Sequence, residues 1–183
     1  MGNEPIKAHP GWVRLFFGGR RQMDIHELNN TRKVTISGIV MAVYIVLMYL
    51  TQSFSFGQYQ VRVATAIYGL AYIFPFLVVP LGLSNLLANM LMGGLGIFDI
   101  LGGGLVGIAT AGLCALLGKR KLSPWLTALP VALIPALGVS LWLSKLLEVP
   151  YPVMAGSLLV GQTICGIISA VLVRALLRIW KEK

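Results

Sequence analysis

The sequence predicts an all-α integral membrane protein with six transmembrane helices and both termini in the cytoplasm. Three observations carry this expectation. The chain has 183 residues, 57% of them hydrophobic and 11% charged, with a mean hydropathy of +0.82; a soluble domain has about 45–50% apolar and about 25% charged residues. Charge is confined to the ends: 14 of the 21 charged residues lie in the first 33 or last 10 positions, and only Arg62, Asp99, Lys119, Arg120, Lys121, Lys145 and Glu148 fall between Val34 and Val173. These leave charge-free runs of 28, 36, 19, 23 and 25 residues, where about 20 apolar residues suffice to cross a bilayer core. The pattern excludes a soluble enzyme domain, intrinsic disorder and a disulfide scaffold.

Residues 1–33 form a basic tail, in which Trp12, Val13, Leu15, Phe16 and Phe17 sit beside Arg14, Arg20 and Arg21. The cluster is too short and interrupted for a signal-peptide core. It fits an interfacial segment on anionic membrane lipid as well as it fits an unattached tail. The membrane domain follows over residues 34–178, and 179–183 form a second cytoplasmic tail. The first span covers about Val34–Leu50. The 36-residue run after Arg62 would be ~54 Å long as one helix, too long for one crossing. Pro75, Pro80 and Gly82 divide it into two short spans, about 63–79 and 81–92. The fourth span follows Asp99 and ends at Gly118, the fifth runs from Pro124 to Ser144, and the sixth from Pro152 to Leu177.

Six spans place 13 of the 15 basic residues on one side, leaving Arg62 and Lys145 opposite. The positive-inside rule makes the basic side cytoplasmic, whereas an odd count would split the basic ends. The net charge of +9 is thus a topology signal, and no aromatic-interleaved patch points to nucleic acid. Cys114 and Cys165 lie in apolar runs without metal-type spacing, which favours packing. The expected outward connections, Thr51–Arg62, Met92–Asp99 and Lys145–Pro152, collect the remaining polar and aromatic side chains. Phe54, Phe56, Gln58, Tyr59, Gln60, Arg62, Asp99 and Glu148 lie there, with Asn85, Asn89, Trp142 and Gln162 within a few turns. This asymmetry favours a ligand arriving from outside, although an interfacial aromatic belt explains the rings equally well.

Gly102-x-Gly104-x-x-Gly107 has dinucleotide-binding spacing but lies inside an apolar span, where small residues serve close helix packing. The stretch from Gly112 to Lys119 lacks the hydroxyl residue of a phosphate loop, since Arg120 stands there. His9 and His26 are both in the tail, so no intramembrane histidine supports catalysis or a metal, and no cofactor is expected. Asp99 and Glu148 suit ligand recognition or pairing with Arg62 and Lys145. Arg62 fits ligand contact, pairing with Asp99 or snorkelling. Asn85 and Asn89 share a helix face; helix packing is favoured for Asn85 and ligand contact for Asn89. Gly38 and Ala42 make a small-xxx-small face on the first span, suited to internal packing or to docking another membrane protein.

These segments together resemble the QueT family of substrate-binding S components of energy-coupling factor (ECF) transporters. The resemblance rests on Phe56-Gly57-Gln58-Tyr59-Gln60-Val61-Arg62-Val63, Phe74-Pro75, Leu87-Ala88-Asn89 and Gly93-Gly94-Leu95-Gly96-Ile97-Phe98-Asp99-Ile100. It implies a subunit that captures a queuosine precursor or related 7-deazaguanine outside the cell. That subunit would work with a membrane T component and two cytoplasmic ATPases, and the Gly38/Ala42 face would meet the T component. Phe54, Phe56, Tyr59 or Trp142 would stack on the flat ring. Asp99, then Glu148, would accept its N–H groups, with Gln58, Gln60, Asn89 and Gln162 completing the polar contacts. Thr65 departs from the family pattern, which commonly has Glu three positions after the arginine matching Arg62. That departure leaves room for another vitamin-like ligand. A stand-alone oligomeric carrier is the alternative.

Overall fold

The computed structural model describes residues 28–52, 62–92 and 96–181. All regular structure among these residues is helical. Helix α1 spans Asn30–Leu50; a 3-10 stretch, Val63–Gly69, runs into the single turn α2, Leu70–Ile73. A 3-10 turn, Pro75–Leu77, opens α3, Val78–Leu91, and α4 follows over Ile97–Lys119. A last 3-10 turn, Pro124–Thr127, leads into α5, Ala128–Leu146, and α6 spans Tyr151–Lys181. Asn30–Leu50, Ile97–Lys119, Pro124–Leu146 and Tyr151–Ile179 are long and apolar enough to cross a membrane, while Val63–Ile73 and Pro75–Leu91 are apolar but shorter.

The long apolar run is indeed divided, but at Phe74 rather than near Pro80. Phe74 is extended (φ −119°, ψ 83°) before Pro75, which takes the first helical position. A residue before proline is pushed out of the helical region, and proline suits a helix start. Pro80 lies in the first turn of α3, where the amide it lacks has little use. Two prolines five residues apart look alike in sequence, yet only one interrupts the chain. Asp99 also moves relative to expectation, from a connection into the first turn of α4.

Helix α4 packs against α3 and α5, α5 against α6, and α1 against α3. Between lipid-embedded helices there is no hydrophobic driving force, so small residues and close backbone approach hold the contact. A Cβ on Gly118 would overlap the Tyr72 carbonyl oxygen, and one on Gly166 would stand 2.6 Å from that of Ala128. The Tyr72 hydroxyl donates to the Leu122 carbonyl, and the Arg174 guanidinium lies 5.5 Å above the Trp125 ring. The Gly118, Tyr72–Leu122 and Arg174–Trp125 contacts tie together the end of the bundle remote from Arg62. Two apolar clusters fill the middle, one around Tyr44, Met48, Leu77, Leu81 and Val131, the other around Val106, Val139, Leu143 and Leu158. Cys114 and Cys165 are free and buried, as expected of packing residues.

Candidate functional site

The site is built where α4 begins. Gly96 has φ 98° and ψ −176°, a region open essentially to glycine alone. Its carbonyl accepts the amides of Asp99 (3.1 Å) and Ile100 (3.2 Å), which starts the helix and sets Asp99 in its first turn. The Asp99 side chain is only 2% exposed. The Trp142 indole Nε1–H, from α5, donates to Asp99 Oδ1 at 3.1 Å. Gly102 makes that possible: a Cβ there would stand 2.8 Å from the Trp142 ring. A negative side chain in a first helical turn also meets the positive end of the helix dipole.

Helix α3 supplies two amides to the same region. Asn85 Nδ2 donates to the Gly103 carbonyl (2.7 Å) and Asn89 Nδ2 to the Asp99 carbonyl (3.0 Å). Both asparagines are buried, as is Arg62, whose Nη1 donates to Asn85 Oδ1 at 3.4 Å. Asn85 thus makes the packing bond expected of it. Asn89 makes the matching bond one turn further along, so helix packing accounts for its Nδ2.

Thr65 was singled out only as a departure from a family pattern, yet it joins the cluster. Its hydroxyl is 2.9 Å from Gln162 Oε1 and 2.7 Å from the Arg62 carbonyl, which Cys165 Sγ also approaches at 3.3 Å. Gln162 of α6, itself 1% exposed, is therefore drawn to the segment that carries Arg62. Below it the Tyr44 and Tyr68 hydroxyls are 3.0 Å apart, linking α1 to that segment. The glycine run of α4 divides its work. Gly104 and Gly107 lie close to α3, with Leu86 Cβ and Gly82 Cα within 3.2 Å of their would-be Cβ atoms. Gly102 and Gly103 instead receive the side chains of Trp142 and Asn89. The sequence signal for this was present, because glycines and asparagines both recur at helical spacing.

The structure brings together Arg62, Asn89, Asp99, Trp142 and Gln162, with Asn85 and Thr65, at one end of the bundle. Glu148 stands apart. It is exposed and left-handed (φ 55°), and the Val149 amide donates to the Ser144 carbonyl at 3.1 Å. That is the backbone pattern that closes a helix C-terminus, so Glu148 terminates α5. Phe54, Phe56, Gln58, Tyr59 and Gln60 lie outside the described residues. Gly38 and Ala42 are exposed on α1, and a Cβ on Gly38 would meet nothing within 4 Å. A separate groove of about 400 Å³ is lined by Ile45, Val46, Tyr49, Gln52, Leu91 and Met92, none of them in the polar cluster.

Chemically, the cluster is a set of buried acceptors and donors. Among the described residues, no three His, Cys, Asp or Glu gather to hold a metal ion. An ionisable side chain buried in an apolar helical bundle is costly and usually marks a transport or ligand path. The family model described as the QueT transporter matches residues 34–178. No curated protein and no solved structure matches the chain.

Proposed function

The chain belongs to the QueT transporter family, and from that premise we propose that it is the substrate-capturing S component of an ECF-type importer. Membership makes it a membrane-embedded transport protein rather than a catalyst. In our reading the two shorter apolar stretches complete six crossings, with both termini cytoplasmic. The ligand is a queuosine precursor or related 7-deazaguanine, bound by Arg62, Asn89, Asp99, Trp142 and Gln162. Phe54, Phe56, Gln58, Tyr59 and Gln60 complete the proposed set of ligand contacts. A membrane T component and two cytoplasmic ATPases drive release, with the T component seated on the Gly38/Ala42 face.

One observation supports the site more than any other: Asp99 is buried at 2% exposure with its carboxylate oriented by the Trp142 indole. A fixed carboxylate suits the N–H edge of a guanine-like ring, and burial strengthens such bonds. The test is mass spectrometry of ligand released from the purified protein, followed by titration with 7-deazaguanine. Release of a deazaguanine and saturable binding are expected. Tight binding of an unrelated vitamin, with none of any deazaguanine, would overturn the substrate. The exposed face at Gly38 also fits self-association as a stand-alone carrier. Co-purification with a T component separates the two, and uptake that persists without T component and ATPases would overturn the ECF assignment.

A further inference from the structure

Asn85 and Asn89 stand one turn apart on α3 and treat α4 alike. Each Nδ2 donates to a backbone carbonyl, Gly103 for Asn85 and Asp99 for Asn89, and those two acceptors are again one turn apart. The amides are therefore two rungs of one ladder between antiparallel helices. With each Nδ2 engaged, each carboxamide oxygen remains for a second donor. On the first rung that donor is Arg62 Nη1. On the second, Asn89 Oδ1 is buried with no hydrogen-bond partner among the described residues, and the residue is wholly inaccessible. A buried acceptor without a donor is expensive and uncommon in native proteins.

We propose that an N–H group of the ligand takes at Asn89 the place that Arg62 takes at Asn85. Asn89 Oδ1 and the Asp99 carboxylate then accept together from a ligand edge bearing two adjacent N–H donors, as an amino-substituted nitrogen heterocycle presents. The carbonyl that holds the Asn89 amide belongs to Asp99 itself, so one residue fixes both acceptors. This rests on the substrate-binding reading of the same cluster and narrows it: the exocyclic amino group, rather than the ring alone, is what the site selects. Gly103 is a positioning residue for that selection, because a Cβ there would overlap Asn89 Nδ2.

The test uses two probes on the full chain in detergent or nanodiscs: 7-deazaguanine, and 7-deazahypoxanthine, the same ring without the amino group. The unaltered protein is expected to prefer the amino probe by roughly tenfold to a hundredfold, the usual value of a satisfied against an orphaned buried group. Asn89→Leu is expected to collapse that preference towards parity, mainly by weakening the amino probe. Asn89→Ala should do the same where leucine fits poorly, and thermal unfolding without ligand checks that each variant is folded. Equal binding of both probes by the unaltered protein overturns the inference. So does a preference that survives both substitutions, with water then completing the rung and the site itself left standing. Binding of neither probe by the unaltered protein removes the substrate reading and this inference together.

Discussion

The two ends of the helix bundle are held by different physics. At the end near Tyr72, backbones meet through glycine, with Gly118 lying on the Tyr72 carbonyl. At the other end Arg62, Asn85, Asn89, Asp99 and Gln162 are buried and helices are joined by side-chain amides and an indole. Close apolar packing is tolerant of solvent but intolerant of volume, because an added atom has nowhere to go. A buried polar network is the reverse: it leaves room for exchange of partners, and loses most when one partner is missing. The first end therefore bears on whether the fold forms, and the second is the end at which we propose the ligand binds.

The strongest break of that contrast is a methyl group at the tight end. Gly118→Ala is expected to destabilise the protein by about 3 kcal/mol or more, since the obstructing atom is backbone oxygen and overpacking already costs about 1–3 kcal/mol where side chains can yield. Thermal unfolding in detergent reads this; an unchanged midpoint would mean that the two helices are not held so closely. At the polar end, Asp99→Ala is expected to cost roughly a hundredfold in ligand affinity, about 2.7 kcal/mol, well beyond Asn85→Ala. Equal, negligible effects on calorimetric titration would show that the pocket lies elsewhere.

Trp142→Phe sharpens the comparison further, because it keeps an aromatic ring while removing the N–H that holds Asp99 Oδ1, along with part of the indole surface packed on Gly102. A loss of about tenfold in affinity is expected, as for one hydrogen bond to a charged group, with a modest drop in unfolding temperature because Trp142 is only partly buried. A large stability loss with unchanged affinity would move Trp142 from site to scaffold. The smallest effect belongs to Glu148→Gly. Relief of its left-handed backbone should raise stability by up to about 1 kcal/mol and leave binding alone. A clear drop in affinity would return Glu148 to the site.

Much of this is legible in the sequence. Charge-free runs located the long helices, since lipid tolerates few charges, and α4 and α5 begin and end within a few residues of expectation. The i, i+4 pair Asn85/Asn89 and the lone Asp99 were visible as polar residues in an apolar chain. The break at Phe74 was harder. Both Pro75 and Pro80 carry the same local signal, and which one interrupts the helix depends on where the first turn falls. Glu148 was harder to place for a related reason: the sequence sets its carboxylate in a connection, and only the structure shows its backbone closing α5, apart from the polar cluster.

The sequence by itself determined the class of protein, the positions of the apolar helices and the short inventory of polar residues from which a site had to be drawn. These follow from composition and spacing, which lipid reads directly. Only the tertiary structure decided how that inventory is spent. It joined Thr65 to Gln162 across 97 positions and gave Trp142 to Asp99 across 43. It also completed one asparagine rung with Arg62 while leaving the other without a donor among the described residues. Helical spacing fixes which residues share a face, but the facing partner depends on the register between helices, which no single helix encodes.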